Sequence, residues 1–192
     1  MEIEKDDVKI PSVIWQILQL ITRITTMMAV LAGAAFLPLA FYMTIDAMSR
    51  RMGGPFTGVS DEIAGQVLAF GGTWAMAYAL ARGAHVRIDV MMPVYPARLR
   101  EFLTLIAIAS TILLGFILAI NAWALSYESY LLDARAYSML GQPLVYAQSL
   151  TAIGFTMLTL QAFIMLIVGG FRFAAGVPVT QTIATGDIKR ET

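Results

Sequence analysis

Four long stretches without a charged side chain constrain this 192-residue chain more than any other feature. They run over residues 24–45, 63–81, 102–127 and 136–171, and each is bounded at both ends by Arg, Asp or Glu. The hydrocarbon core of a bilayer is about 30 Å thick and takes roughly 20 helical residues to cross. The first three stretches each fit one crossing, whereas the fourth is too long for one and too short for two.

The opening part of the fourth stretch contains Gly141-Gln142-Pro143, which is not typical of a membrane-embedded helix. We therefore assign its crossing to residues 149–171. The sequence predicts an all-α integral membrane protein with four transmembrane helices in a single domain spanning residues 1–192. The predicted helices cover residues 24–45, 63–81, 102–127 and 149–171.

Composition supports a membrane location and excludes several classes of protein. Hydrophobic residues make up 58% of the chain and charged residues 14%, against roughly 25% charged in an average soluble domain. So few charges cannot cover a water-facing surface, which excludes soluble, disordered and nucleic-acid-binding proteins. The chain has no cysteine and one histidine, His85. Neither a thiolate metal site nor a bis-histidine haem can form, and we expect no cofactor.

Basic residues predict the orientation, because positive charge is retained on the cytoplasmic side. Ten of the 13 Lys and Arg fall on the side that holds both termini and the second loop, and three fall on the other. We therefore expect both termini to be cytoplasmic. The segment before residue 24 is rich in Asp and Glu, which is wrong for a signal peptide, so we expect the first helix to be retained. The three basic residues on the opposite side are Arg50, Arg51 and Arg135.

Two further segments are candidates for helices that lie in the headgroup plane. Residues 13–21 carry apolar side chains at helical spacing, which suits either an interfacial helix or a simple extension of the first crossing. Residues 129–140 also place Tyr130, Leu131 and Tyr137 on one helical face before a helix stop at Gly141. We expect an interfacial helix there.

The predicted crossings contain no ionisable side chain, although transporters that move ions by themselves usually carry one. Their polar groups are amides and hydroxyls, notably Gln161 in the fourth helix, Asn121 in the third and Thr73 in the second. We interpret these side chains as hydrogen-bonding contacts between helices rather than as a transport site.

Small residues are abundant in the predicted second helix and permit close approach between helix backbones. Gly72 and Ala75 are candidates for such packing. Because small residues occur on most faces of this helix, the pattern favours an external partner in addition to partners within the chain.

The most distinctive segment reads Ala81-Arg82-Gly83-Ala84-His85-Val86-Arg87-Ile88-Asp89-Val90, followed by Pro93, Pro96 and an Arg-rich turn. Together with the acidic start of the second helix at Ser60-Asp61-Glu62 and its Gly-rich middle, it resembles the small permease subunit of tripartite ATP-independent periplasmic (TRAP) transporters, the DctQ-like family. The resemblance in size, number of crossings and orientation extends over nearly the whole chain.

The resemblance implies a small, non-catalytic scaffold subunit of a sodium-driven importer of organic acids in the bacterial inner membrane. Its partners would be a large elevator-type permease subunit, which carries the substrate and sodium sites, and a periplasmic substrate-binding protein. Membrane lipid would surround it, and no nucleic acid is involved. No catalytic, substrate-binding or metal-binding residue is expected in this chain.

The candidate residues are therefore structural or at partner interfaces. His85, Arg87 and Asp89 are expected to order the second loop, and Arg82 begins the same motif. Glu62 lies at the start of the second helix, where the positive end of the helix dipole stabilises a carboxylate. The alternative role for Glu62 is a salt bridge to the large subunit.

Two other functions remain open on sequence grounds. One is a self-sufficient four-helix transporter acting as a homodimer, and the other is a cofactor-free membrane anchor of another complex. The homodimer would need an embedded carboxylate, which the predicted crossings lack.

Overall fold

The computed structural model of the chain describes residues 11–54, 59–83 and 95–177. They form four helices: α1 (Ser12–Arg51), α2 (Val59–Ala81), α3 (Ala97–Leu131) and α4 (Leu144–Ala174). All four are long and apolar enough to cross a membrane, which confirms the predicted fold class. Strand pairing in the described ranges is confined to an isolated bridge between Arg135 and Pro143.

We name the two ends of the bundle by the helix connections and the helix termini that lie there. At the hairpin end, α1 connects to α2 and α3 to α4. At the terminal end, α1 begins, α4 finishes and α2 connects to α3. The 23 residues of α2 span about 34 Å at about 1.5 Å per residue, which is close to one hydrocarbon thickness. The other helices are longer and extend beyond it.

Six of the eight helix ends coincide with Pro or Gly rather than with the charges that bounded the predicted crossings. Proline stands immediately before three of the helices, where its fixed φ and missing N–H cost nothing. Glycines in the left-handed region follow three helix ends, with φ values of 67° to 90°. The prolines are Pro11, Pro96 and Pro143, and the glycines are Gly53, Gly83 and Gly176.

Residues 13–21 are helical but do not form a separate interfacial helix. They are the first turns of α1, which is continuous from Ser12 to Arg51. Leu18 and Ile21 are buried in the apolar core, and Ile14 and Trp15 pack against it. The alternative of a simple extension therefore describes this segment, since packing on the core holds it upright along the bundle.

The prediction of an interfacial helix over residues 129–140 was wrong. The helix α3 continues through Leu131, and the chain then turns at Asp133, whose φ is 45°. That left-handed residue interrupts the helical hydrogen-bond ladder. Bonds across the loop replace it, from Ala136 N to Gln142 O at 2.9 Å and from Leu144 N to Ala134 O at 3.0 Å.

The central helix of the bundle is α4, which packs against the other three. Besides this, α1 and α2 pack on each other, while α3 is held mainly by α4. The apolar core lies toward the terminal end, where all four helices contribute buried side chains. Its members are Leu18, Ile21, Ala77, Leu80, Ile108, Leu158, Ala162, Ile164, Met165 and Val168.

Candidate functional site

A close contact joins α2 and α4 at Gly154. A Cβ on Gly154 would overlap Thr73 Oγ1 and lie 2.7 Å from Thr73 Cβ and 2.9 Å from Trp74 Cδ1. The same pair of helices shares a hydrogen bond, in which Trp74 Nε1 donates to the carbonyl oxygen of Leu150 at 2.9 Å. Glycine at 154 therefore allows the approach that brings the indole within reach of the α4 backbone.

A second close contact joins α3 to α4. A Cβ on Gly115 would lie 2.7 Å from Thr159 Oγ1. Toward the hairpin end, Trp123 Nε1 donates to Thr156 Oγ1 at 3.1 Å. One turn further, the hydroxyls of Ser126 and Ser149 share a hydrogen bond of 2.7 Å. These polar contacts matter for α3, because α4 is its main neighbour.

The pair α1 and α2 is held at two levels. Near mid-membrane, Gly71 lies under the ring of Phe36, whose Cε2 would be 2.8 Å from an added Cβ. At the hairpin end, Ser60 Oγ donates to Asp46 Oδ2 at 2.7 Å, and Arg50 Nη2 lies 2.9 Å from the same oxygen. Ser60 thus serves as a tie between helices in the first turn of α2.

Gln161 lies where the sequence analysis placed a contact between helices. It is 1% exposed, and its Nε2 donates to Thr22 Oγ1 of α1 at 3.5 Å. Its Oε1 is buried without a hydrogen-bond donor among the described residues. Thr73 and Asn121 instead bond to carbonyl oxygens of their own helices, so neither bridges two helices through a hydrogen bond.

Glu62 stands in the first turn of α2, beside Asp61. Its Oε1 accepts a hydrogen bond from Gln66 Nε2 at 3.1 Å. Its Oε2 is buried and has no hydrogen-bond partner within the part of the chain that the structure describes. One carboxylate oxygen is thus left for a donor from outside these residues.

One face of α2 is exposed and made largely of small residues. Gly65, Ala69, Gly72 and Ala75 are all exposed. A Cβ on Gly65 or Gly72 would meet nothing within 4 Å. The neighbouring positions Gly71, Thr73 and Ala77 are buried within the bundle, so α2 presents small residues to two sides.

An open groove adjoins this face at the hairpin end, and we call it the α2–α3 groove. It has a volume of about 280 Å³, with α4 as its floor. Its surface is almost wholly apolar. It is lined by Gly65, Gln66, Ala69, Ala122, Leu125, Leu144, Ala147, Gln148 and Thr151.

The motif at the end of α2 is only partly described. Arg82 lies over the ring of Tyr78, with its Cζ 5.5 Å from the ring centroid. His85, Arg87 and Asp89 lie outside the described residues, so their expected role stays a prediction. No group of three or more His, Asp or Glu that could hold a metal ion occurs among residues 11–54, 59–83 and 95–177.

The hydrogen bonds between helices made by Trp74, Trp123 and Asp46 were not predicted from the sequence. A tryptophan well inside a predicted crossing is a detectable signal, since its indole N–H needs an acceptor that lipid cannot supply. The acceptors themselves, such as the Leu150 carbonyl 76 positions away, follow only from the packing.

These helices and contacts define a multi-pass membrane protein whose polar groups tie helices together and whose small residues also face outward. The family model described as tripartite ATP-independent periplasmic transporters, DctQ component, matches residues 39–172. This range is well over half of the chain, and the protein belongs to that family. Comparisons with curated proteins and with solved structures gave no match.

Proposed function

We propose that the chain is the small, non-catalytic scaffold subunit of a sodium-driven importer of organic acids. It works with a large elevator-type permease and a periplasmic substrate-binding protein in the bacterial inner membrane, with both termini cytoplasmic. Membership of the DctQ component family supports the transporter assignment. The distribution of basic residues supports the orientation.

The exposed small-residue face of α2 is the observation that carries the scaffold role. Apolar side chains gain little by leaving lipid for one another, so helix association in membranes depends on close backbone approach. Gly65, Ala69, Gly72 and Ala75 leave the α2 backbone accessible on its outer side. A helix of the large subunit can pack closely against the α2 backbone there. Flexible lipid chains would not gain comparable packing contacts from the same surface.

The α2–α3 groove extends this docking face toward α3. Gln66 and Gln148 lie among its lining residues, and Gln148 Oε1 is buried without a donor in the described ranges. Glu62, one helical turn before Gln66 on α2, also has a buried oxygen, Oε2, without a donor among the described residues. In a membrane an unsatisfied oxygen is costly, and a partner helix that carries donor side chains would satisfy it. We therefore assign this side of α2 and α3 to the large permease.

The surfaces at membrane depth also favour a substrate site elsewhere in the complex. An organic acid needs cations or hydrogen-bond donors to replace its water. The α2–α3 groove and a second groove between α3 and α4, of about 540 Å³, are both lined mainly by apolar atoms. Neither includes a charged side chain among its lining residues.

The decisive experiment is purification of the chain from its native membrane in mild detergent, with the co-purifying proteins identified by mass. We expect a large, many-helix permease to be recovered with it. The matched variants are Ala75→Leu on the exposed face of α2 and Ala34→Leu on the exposed side of α1. Ala75→Leu should reduce recovery of the partner several-fold, while Ala34→Leu leaves it unchanged.

Recovery of the chain alone, as a monomer or homodimer that transports when reconstituted by itself, would overturn the scaffold function. Recovery with an unrelated enzyme would instead establish the anchor function. Equal partner recovery for Ala75→Leu and Ala34→Leu would show that the interface does not lie on the exposed α2 face. The transporter assignment would not be affected.

A further inference from the structure

A cavity of about 350 Å³ with both charged and apolar lining residues lies at the terminal end of the bundle, between the start of α3 and the end of α4. Arg98, Arg100 and Glu101 line it from α3, and Phe173 and Val177 line it from the α4 side. It has no counterpart in the functions assigned above, because it lies at the opposite end of the bundle from the α2–α3 groove.

Within the described residues, the two arginines are incompletely paired. Arg100 Nε is buried without a hydrogen-bond acceptor in the described part of the chain. Glu101 forms an ion pair with Arg100, but Glu101 Oε1 lies 3.9 Å from Arg100 Nε, which is beyond hydrogen-bond distance. Arg98 is exposed at the cavity. Among the described residues, two guanidinium groups thus face a cavity lined by one carboxylate, so the net charge of this lining is positive.

The position of the arginines adds to this imbalance. Both stand near the start of α3, whose first turn contains no acidic residue. The helix dipole makes that end partly positive, so it disfavours cations and favours an anion. An anion in the cavity would satisfy Arg100 Nε and relieve the repulsion between the arginines and the helix terminus.

We propose that this cavity binds the phosphate group of an anionic membrane lipid. Guanidinium groups match phosphate oxygens in charge and geometry. Phe173 and Val177 supply an apolar wall for the glycerol and upper acyl chain, which a free phosphate ion would not use. The cavity also lies at the end of the hydrophobic spans, at the depth of lipid headgroups. Basic pockets between helices at this depth are typical anionic-lipid sites.

The test is native mass spectrometry of the purified full-length chain with added phosphatidylglycerol or phosphatidylcholine of identical acyl chains. A parallel arm adds inorganic phosphate as a competitor. We expect phosphatidylglycerol to be retained roughly tenfold better than phosphatidylcholine, and R98Q/R100Q to lose that preference. The R23Q/R51Q variant is the matched control, because it removes the same charge at two exposed sites that do not line the cavity.

Two further variants keep the result interpretable if R98Q/R100Q folds poorly. R98K/R100K retains the charges and should keep most of the preference. Ala174→Leu leaves both arginines in place but narrows the cavity, and it should reduce retention of phosphatidylglycerol. Equal retention of the two lipids by the wild type, or equal loss in R23Q/R51Q, would overturn the site. Displacement of the lipid by millimolar phosphate would overturn the lipid as its ligand and assign a soluble anion.

Discussion

Gly154→Ala should separate α2 from α4, and its cost follows from the distances at the contact. The new Cβ would lie 2.7 Å from Thr73 Cβ, whereas ordinary contact begins at 3.4 Å. The two helices must therefore move apart by about 0.7 Å at this level. Overpacking of this kind costs about 1–3 kcal/mol.

The separation also affects the indole hydrogen bond next to this contact. Trp74 Nε1 lies 2.9 Å from Leu150 O, and the same displacement would lengthen that distance beyond hydrogen-bond range. A lost neutral hydrogen bond costs about 0.5–1.5 kcal/mol. We therefore expect Gly154→Ala to lower the free energy of unfolding by about 1.5–4.5 kcal/mol in total.

The assay is reversible unfolding of the purified chain by titration with SDS in mixed micelles. Gly170→Ala is the matched control on the same helix, because an added Cβ there meets nothing within 4 Å. It should be neutral or stabilising by about 0.5–1 kcal/mol, since alanine is the better helix former. In the double variant Thr73→Gly/Gly154→Ala the Cβ moves from one helix to the other, and it should recover part of the loss. The steric argument fails if Gly154→Ala and Gly170→Ala unfold at the same SDS fraction.

Two other substitutions test the polar contacts by the same titration. Trp74→Phe keeps the aromatic packing but removes the donor to Leu150 O, so stability should fall by about 0.5–1.5 kcal/mol; an unchanged midpoint would show that this bond contributes nothing. Gln161→Met removes a buried amide whose Oε1 has no donor within the described residues and whose bond to Thr22 Oγ1 is long at 3.5 Å. The penalty removed and the bond lost should nearly cancel, so the replacement should be close to neutral. Normal uptake by the complex carrying Gln161→Met is expected, and loss of uptake with normal assembly would give Gln161 a role in transport.

The number of crossings could be predicted from the sequence because bilayer thickness fixes how long an uncharged stretch must be. The helix ends could not, because a charge at the membrane boundary does not end a helix. Arg23 lies within α1, and Glu128 lies within α3. Most of the helix boundaries fall where Gly or Pro changes the backbone, as where α2 ends before Gly83 and α3 begins after Pro96.

The candidate surfaces show a similar division. The small residues of α2 predicted close packing, and the structure distributes them over a buried and an exposed side. The sequence does not say which residue takes which side, because that depends on the rotation of α2 against its neighbours. The prediction of an interfacial helix over residues 129–140 failed for another reason. Helical spacing of its aromatic residues carries no information about the left-handed turn at Asp133.

The adjacent glycines Gly71 and Gly72 allow the fold and the assembly to be tested separately. Gly71 is buried with the Phe36 ring 2.8 Å from an added Cβ, whereas the space around Gly72 is open. Because the residues are neighbours at the same membrane depth, insertion and helix propensity change equally when either becomes leucine.

Gly71→Leu should therefore lower the unfolding free energy of the isolated chain by about 1–3 kcal/mol. Gly72→Leu should leave that free energy unchanged and reduce only the recovery of the large subunit. The two measurements are SDS titration of the chain alone and partner recovery from the membrane. If Gly72→Leu destabilises the isolated chain as much as Gly71→Leu does, its side chain meets the bundle rather than a partner. If it changes neither quantity, lipid is sufficient to cover this face of α2, and the large subunit must dock elsewhere.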